Sequence, residues 1–255
     1  MDEKESYSKY ILSSLSNALE VIDELGKEGE LSIPEISEKT GIGKSSLFRI
    51  LATLESKKFV TKTLHARYNL GLKFISLGNA VIRKMGIERA AHPYLMELTA
   101  ESGETSHMGV LDGAVDLLFV DKVVSSSSIH MDSLVGFRRK AHVVGCGKAI
   151  LAYQSEAYLD AYMKLADFSA LTPNSITSPE ELKKDLERIR RDGYSVDNEE
   201  SEAGLFCVAA PVLDANNQAL AAVSISGPVD RMKRSLKKNI QLIKNTAEKI
   251  SQELL

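Results

Sequence analysis

The chain has 255 residues, enough for more than one domain of ~150 residues, and its 44 % hydrophobic and 26 % charged content suits a folded core with an ordinary polar surface. That composition excludes disordered and collagen-like chains, no apolar run reaches the ~20 residues that cross a bilayer, and the acidic opening MDEKES is unlike a secretory leader. A cytoplasmic protein with no membrane partner is expected, and Cys146 and Cys207, the two cysteines, are expected to be reduced and packed.

The net charge of −3 conceals an asymmetry: residues 1–38 sum to −7, residues 39–84 to +9 and residues 91–255 to −5. Any polyanion is therefore expected on the first third.

Along the chain, Ile11, Leu15, Leu19, Ile22 and Leu25 recur mostly every fourth residue, which predicts one apolar stripe on a first helix, punctuated by Gly26 and Gly29. In SIPEISEKTG, Ser32 suits a cap, Pro34 a first turn, Ile33 and Ile36 core contacts, and Gly41 a turn. A third helix begins near Lys44. Its Leu47, Ile50, Leu51 and Leu54 fall on one face, with Ser45, Arg49, Ala52 and Ser56 on the other.

Two helices joined by a glycine-containing turn, the second with a small, cationic outer face, match the way a helix enters the major groove. Arg49 then reaches bases or phosphates, Ser45 and Ser46 offer hydroxyls to phosphate, and Lys44, Lys57 and Lys58 add charge. The pieces FVTK and RYNL predict a hairpin beside the helix, a wing whose Lys62, His65 and Arg67 follow the DNA backbone or enter the minor groove. Read from residues alone, a protein-interaction domain with solvated lysines stays open beside DNA binding.

From Gly71 to Gly103 apolar residues keep helical spacing across Gly78 and Gly86, predicting a connecting helix and then the first helix of a second domain. There ETSHMGVLDGAVDLLFVDKVV reads as a hairpin turning at Asp112-Gly113, and SPEELKKDLERIRRDG as a helix with Leu182, Leu186 and Ile189 on one stripe. GLFCVAAPVLD and ALAAVSISG read as strands joined by ANNQ. One closing helix is expected to carry Met232, Leu236, Ile240, Ile243, Ala247 and Ile250. The expectation is an α+β protein with a winged helix-turn-helix domain over 1–70, a connecting segment over 71–90 and a largely antiparallel domain over 91–255.

Taken together, SNALEVIDEL, IPEISEKTGIGKSSLFRILATLESKKFV, YNLGLKF, ESGETSHMGVLDG, VGFRRKAHVVGCGKAILA, IRRDGYSVDNEESEAGLFCVAAPVLD and AAVSISGP resemble the IclR-type transcriptional regulators, in order and over nearly the whole chain. The resemblance implies a non-enzymatic homodimer or homotetramer, with no cofactor. Its winged domain would bind double-stranded operator DNA and its GAF-like carboxy-terminal domain a small effector, and the protein is expected to act as a repressor. It further implies that a loop around Gly145 and Cys146 presents backbone amides to the effector, and that Asp197, Cys207, Ser224 and Ser226 match pocket-lining positions. Cys207 also reads as a small buried residue and Asp197 as a loop tie. Lys140, Val144 and Cys146 depart from the usual residues of the family's middle signature.

Amides and hydroxyls without an arginine suit a small organic acid, and an aromatic acid if Met108, Phe119, Met131, Leu134 or Phe137 supplies an apolar wall. Other chemistries find less support. A phosphate loop would need glycine at position 142, where His stands, and a hydroxyl at 149, where Ala stands, and no GxSxG, HExxH or paired CxxC motif occurs. No metal site follows from spacing, although His107, His130 and His142, or Cys146, Cys207 and Asp197, would make the regulator metal-responsive if folding assembled them.

Overall fold

A computed structural model describes residues 10–85, 87–131 and 134–254. They form two compact units, the first up to Lys84 and the second from Met85.

The first unit runs α1 (Ser13–Glu28), β1 (Leu31–Ser32), α2 (Ile33–Thr40), α3 (Lys44–Ser56), β2 (Val60–Lys62), β3 (Arg67–Leu70) and α4 (Lys73–Met85) at its boundary. Its core gathers Val21 and Leu25 from α1, Ile36 from α2, Leu47 and Leu51 from α3, and Val60 and Tyr68 from the hairpin. Ser32 starts α2 as the sequence suggests: its backbone N–H and hydroxyl both donate to Glu35 Oε2, at 2.7 and 2.6 Å. Gly41 ends α2 with φ 71°, a left-handed conformation that favours glycine.

Two expectations change here. The expected inward stripe of α1 is displaced, because Val21 and Leu25 face the core while Leu15 and Leu19 stay 56 % and 54 % exposed. The wing also gains a third strand: β1 pairs with β3, giving the order β1-β3-β2, from a two-residue segment too short to show alternation.

The second unit runs α5 (Ile87–Ser102), β4 (Thr105–Asp112), β5 (Asp116–Val123), β6 (Arg138–Lys140), a 3-10 turn (Ala141–Val143), α6 (Gly145–Leu151), α7 (Glu156–Leu165), α8 (Pro179–Asp192), β7 (Ser195–Asn198), β8 (Leu205–Leu213), β9 (Ala219–Pro228), α9 (Val229–Arg234) and α10 (Leu236–Glu253). The six strands form one antiparallel sheet in the order β6-β5-β4-β9-β8-β7.

Helices cover both faces. Met108, Val208, Val223 and Ile225 pack against Leu95 and Leu98 of α5 and Ile243, Ala247 and Ile250 of α10. The opposite face, with Leu117, Phe119, Ala209 and Ala222, packs against α6, Tyr162 of α7, and Leu182, Leu186 and Ile189 of α8. Strand alternation sends neighbouring side chains to these two layers. The closing segment is two helices, broken at Ser235. The expected loop around Gly145 and Cys146 is the first turn of α6, and α7 is a helix that sequence patterning passed over.

Candidate functional sites

In the first unit, α3 buries Leu47 and Leu51 and leaves Lys44, Ser45, Ser46 and Arg49 exposed. Arg49, Ser46 and Thr53 line one side of an open groove whose other side is Ser13, Ser14 and Leu15 of α1. At the wing, Lys62 Nζ stands 5.6 Å from the centre of the Tyr68 ring and His65 is exposed in the turn. Ala66 closes that turn with φ 56°.

Arg67 differs from the other candidates. It is drawn to α2, pairing with Glu35 at 3.0 Å and Glu30 at 3.4 Å and donating to the Glu30 carbonyl at 2.8 Å. The added strand β1 causes this, since it sets β3 beside the start of α2. Hydrogen bonds from Ser32 and Arg67 hold the Glu35 carboxyl down at about 2. Arg67 thus fastens wing to helix pair. Phe48, on α3 among the exposed cationic and small residues, is 60 % exposed; sequence reading passed over it because it fits no core stripe.

In the second unit, strand register assembles two polar rows on the face under α6. Thr105 pairs with Ser226, Ser226 with Cys207 and Cys207 with Asp197, while His107 pairs with Ser224, Ser224 with Ala209 and Ala209 with Ser195. All these side chains are buried. Gly145 of α6 lies directly above: a Cβ there would sit 3.0 Å from Cys207 Sγ, and Ser195 Oγ donates to the Gly145 carbonyl at 2.7 Å. The six effector candidates, Gly145, Cys146, Asp197, Cys207, Ser224 and Ser226, therefore meet in one seam, although they come from α6, β7, β8 and β9.

Burial sets the chemistry of this seam. It pushes the Cys207 thiol up to about 12 and the Cys146 thiol further, so both are small neutral groups, not nucleophiles. Cys146 Sγ faces the Ala222 carbonyl at 3.7 Å. Ser224 Oγ, beside both thiols, has no hydrogen-bonded oxygen or nitrogen partner among the described residues. Asp197 is committed to its own loop, accepting from the Glu200 N–H at 2.8 Å and the Ser201 hydroxyl at 2.6 Å. His107 is held neutral, its pKa lowered to about 3 by burial and by Lys122, with the Phe119 ring centre 5.3 Å away.

Sequence reading missed the support around the seam. Lys148 is 1 % exposed and holds Glu200 at 2.5 Å and Asp185 at 3.1 Å, joining α6 to α8 and the β7–β8 loop. Gly147 explains the GCGKA run: a Cβ there would lie 2.0 Å from the Ala141 carbonyl oxygen, so the glycine lets α6 press against the 3-10 turn. Of the departures from the family pattern, Lys140 pairs with Asp116 at 2.9 Å across the sheet edge, and Val144 is the residue preceding α6.

The expected apolar wall is smaller than supposed. Phe119 lies at the seam and Phe137 is half-buried in the same layer, but Met108 alternates with His107 and faces the opposite layer. Leu134 is exposed and Met131 half-buried. Neither metal constellation forms: among the described residues no group of three or more His, Cys, Asp or Glu is placed to hold an ion. His130 instead donates Nδ1–H to the Ser127 carbonyl at 2.8 Å on an exposed loop. No helix among the described residues is long and apolar enough to cross a membrane.

Comparison with known proteins agrees with both halves. The IclR helix-turn-helix domain matches residues 14–63, and the bacterial transcriptional regulator IclR C-terminal domain matches residues 79–252. The HTH-type transcriptional regulator XynR of Escherichia coli is 32 % identical over 224 residues, covering 87 % of this chain and 88 % of that protein. The HTH-type transcriptional regulator KdgR of Dickeya chrysanthemi is 31 % identical over 245 residues, covering 95 % and 80 %. The crystal structure of the Thermotoga maritima IclR superposes with a TM-score of 0.81 at 37 % identity, covering 94 % of this chain and 98 % of that one. With a helix-turn-helix in one unit, a buried polar seam in the other and matches spanning both, the chain belongs to the IclR family and is a sequence-specific DNA-binding regulator of transcription.

Proposed function

We propose that the protein is an effector-controlled repressor that reads operator DNA through α3 and the wing and senses a small organic acid at the seam beneath α6. The carrying observation is the convergence of residues from α6, β7, β8 and β9 on one buried polar patch, in which the Ser224 hydroxyl meets the thiols of Cys146 and Cys207 but no oxygen or nitrogen partner among the described residues. Thiols are weak hydrogen-bonding partners, so much of the capacity of this buried hydroxyl is left for a ligand. Lys44, Ser45, Ser46, Arg49, Lys62 and His65 form the DNA face, with Arg67 acting indirectly by fixing the wing. A sheet helix-covered on both faces supports the GAF-like reading of the second unit.

The seam is closed by packing, so an effector enters by shifting α6 or the 198–201 loop, and differential affinity for the shifted state biases DNA binding. A second copy of the chain is the expected partner for the exposed Leu15 and Leu19 of α1, pairing two recognition helices on adjacent half-sites. The test is operator selection with the full-length protein, followed by titration of the selected duplex with small aliphatic and aromatic carboxylates and their amides. Release by a carboxylate but not its amide is the expected result. Release by uncharged compounds alone overturns the acid reading, and binding equal to that of random duplexes overturns the operator reading.

A further inference from the structure

One exposed residue on the DNA face has no place in a purely electrostatic account. Phe48 sits in the middle of α3 with its ring 60 % exposed, while Leu47 and Leu51 of the same helix are fully buried. Single exposed apolar residues are common on protein surfaces. The surroundings of this one are not. Lys44 precedes it by one turn and Ala52 follows by one turn, Ser45 lies three residues before, and Arg49 is next in the chain, all exposed. Small neighbours leave the ring standing above the helix surface. Glu55 is the single carboxylate between residues 39 and 84.

An apolar ring with Lys44 one turn before it and Arg49 next to it is a poor match for an apolar partner, because docking there would desolvate those charges without pairing them. It is a good match for a surface that is anionic at its rim and apolar at its floor. The major groove is such a surface: phosphates line both edges, and the 5-methyl groups of thymine are the apolar features of the floor. Helix geometry agrees. Arg49 lines the groove on the α1 side, so Phe48, one residue earlier, is turned about 100° from it, and the two side chains reach different positions along the DNA.

We propose that Phe48 is a specificity-determining residue that reads thymine by packing against its 5-methyl group. The assignment rests on the DNA-binding reading of α3 and extends it. Arg49 contributes hydrogen bonds and charge, and Phe48 contributes discrimination that salt does not screen. Because the contact involves no ion, its loss changes affinity without changing the dependence of affinity on salt.

The test replaces each thymine of the selected operator in turn with deoxyuridine, which removes the methyl group and leaves base pairing intact. Full-length wild-type protein is expected to lose about 3- to 10-fold in affinity at one or two positions in each half-site. Phe48→Ala is expected to bind the thymine and uracil duplexes equally at those positions, with an unchanged salt slope, and Phe48→Leu to retain part of the difference. Thermal melting of each variant checks that the helix is intact, as expected for an exposed side chain. Three outcomes overturn the proposal: no thymine position responds in wild type, Phe48→Ala keeps the full thymine response, or Phe48→Ala alters self-association while the thymine response is intact. The DNA-binding reading fails separately, if wild-type protein selects no sequence at all.

Discussion

The two units treat polar groups in opposite ways. In the first, the candidate side chains Lys44, Ser45, Ser46, Arg49, Lys62 and His65 are exposed over a core of Val21, Leu25, Ile36, Leu47 and Leu51. In the second, Thr105, His107, Lys148, Asp197, Glu200, Ser224 and Ser226 are buried inside. A polyanion is met at long range by solvated charge, and the screening of that charge sets how salt affects binding. A small molecule offers little charge and area, so discrimination has to come from desolvated groups whose hydrogen bonds have no competing water. The same chain thus keeps long-range attraction on an exposed face and desolvated hydrogen bonding in a buried one, by where it puts its polar atoms.

Removing Lys148 tests the buried side of that contrast most severely. Lys148→Met leaves Glu200 and Asp185 without their shared ammonium, and the second unit is expected to lose about 3–5 kcal/mol. Hydrogen exchange resolved by peptide should show the loss in residues 87–254 and leave the α1–α3 core protected. Equal loosening of both units would mean that the network does not belong to the second unit alone.

Acid should separate the units next. Burial holds His107 at about 3 and His142 at about 4, whereas the unfolded chain titrates near 6.5. Below pH 6.5 the unfolded state therefore binds more protons, and the second unit loses stability as pH falls towards those values, by up to about 1.4 kcal/mol per pH unit for His107 alone. Asp197 and Glu200, raised by burial, oppose the trend where carboxylates titrate. In the first unit Glu35 is lowered from 4.5 to about 2, so its stabilising effect is lost only below about 4.5. Exchange measured across pH 7 to 4 should therefore show the second unit weakening first, and the reverse order would break the assignment.

Arg49→Ala sharpens the exposed side. If the guanidinium reads a base edge, operator affinity falls about 10- to 100-fold and the preference over random duplex shrinks with it. An equal loss on both duplexes would make Arg49 a phosphate contact. Among substitutions of buried residues, the smallest stability effect belongs to Ser224→Ala. With no oxygen or nitrogen partner to lose, the variant should keep its stability within about 1 kcal/mol while effector release of DNA weakens. An unchanged effector response in a folded Ser224→Ala protein would remove that hydroxyl from the site.

The contrast also explains what was legible beforehand. On α3 the burial of Leu47 and Leu51 and the exposure of Arg49 follow from a helical period in one continuous segment, so both core and face could be read residue by residue. The hairpins β4–β5 and β8–β9 were equally plain, because local turns join their strands. On α1 periodicity misled: Leu15 and Leu19 keep helical spacing yet miss the core, since spacing gives a stripe but not what it faces. The ties of Arg67 to Glu30 and Glu35 are invisible in the sequence, because nothing local reveals that two residues, Leu31 and Ser32, add a strand beside it.

Hydrophobic spacing and charge asymmetry alone determined the helix-turn-helix and the side of it that carries cations, while the ordered residue runs carried the family resemblance. Those properties reside in contiguous residues and in backbone periods of 3.6 and 2. Tertiary structure decided that Cys207 and Asp197 are adjacent across two strands and that Gly145 closes over them from a helix some sixty residues earlier. It also decided that Lys148 reaches Glu200, and that Met108 turns its back on the seam. Each of these depends on strand register and layer packing, where a shift of one residue sends a side chain to the opposite face.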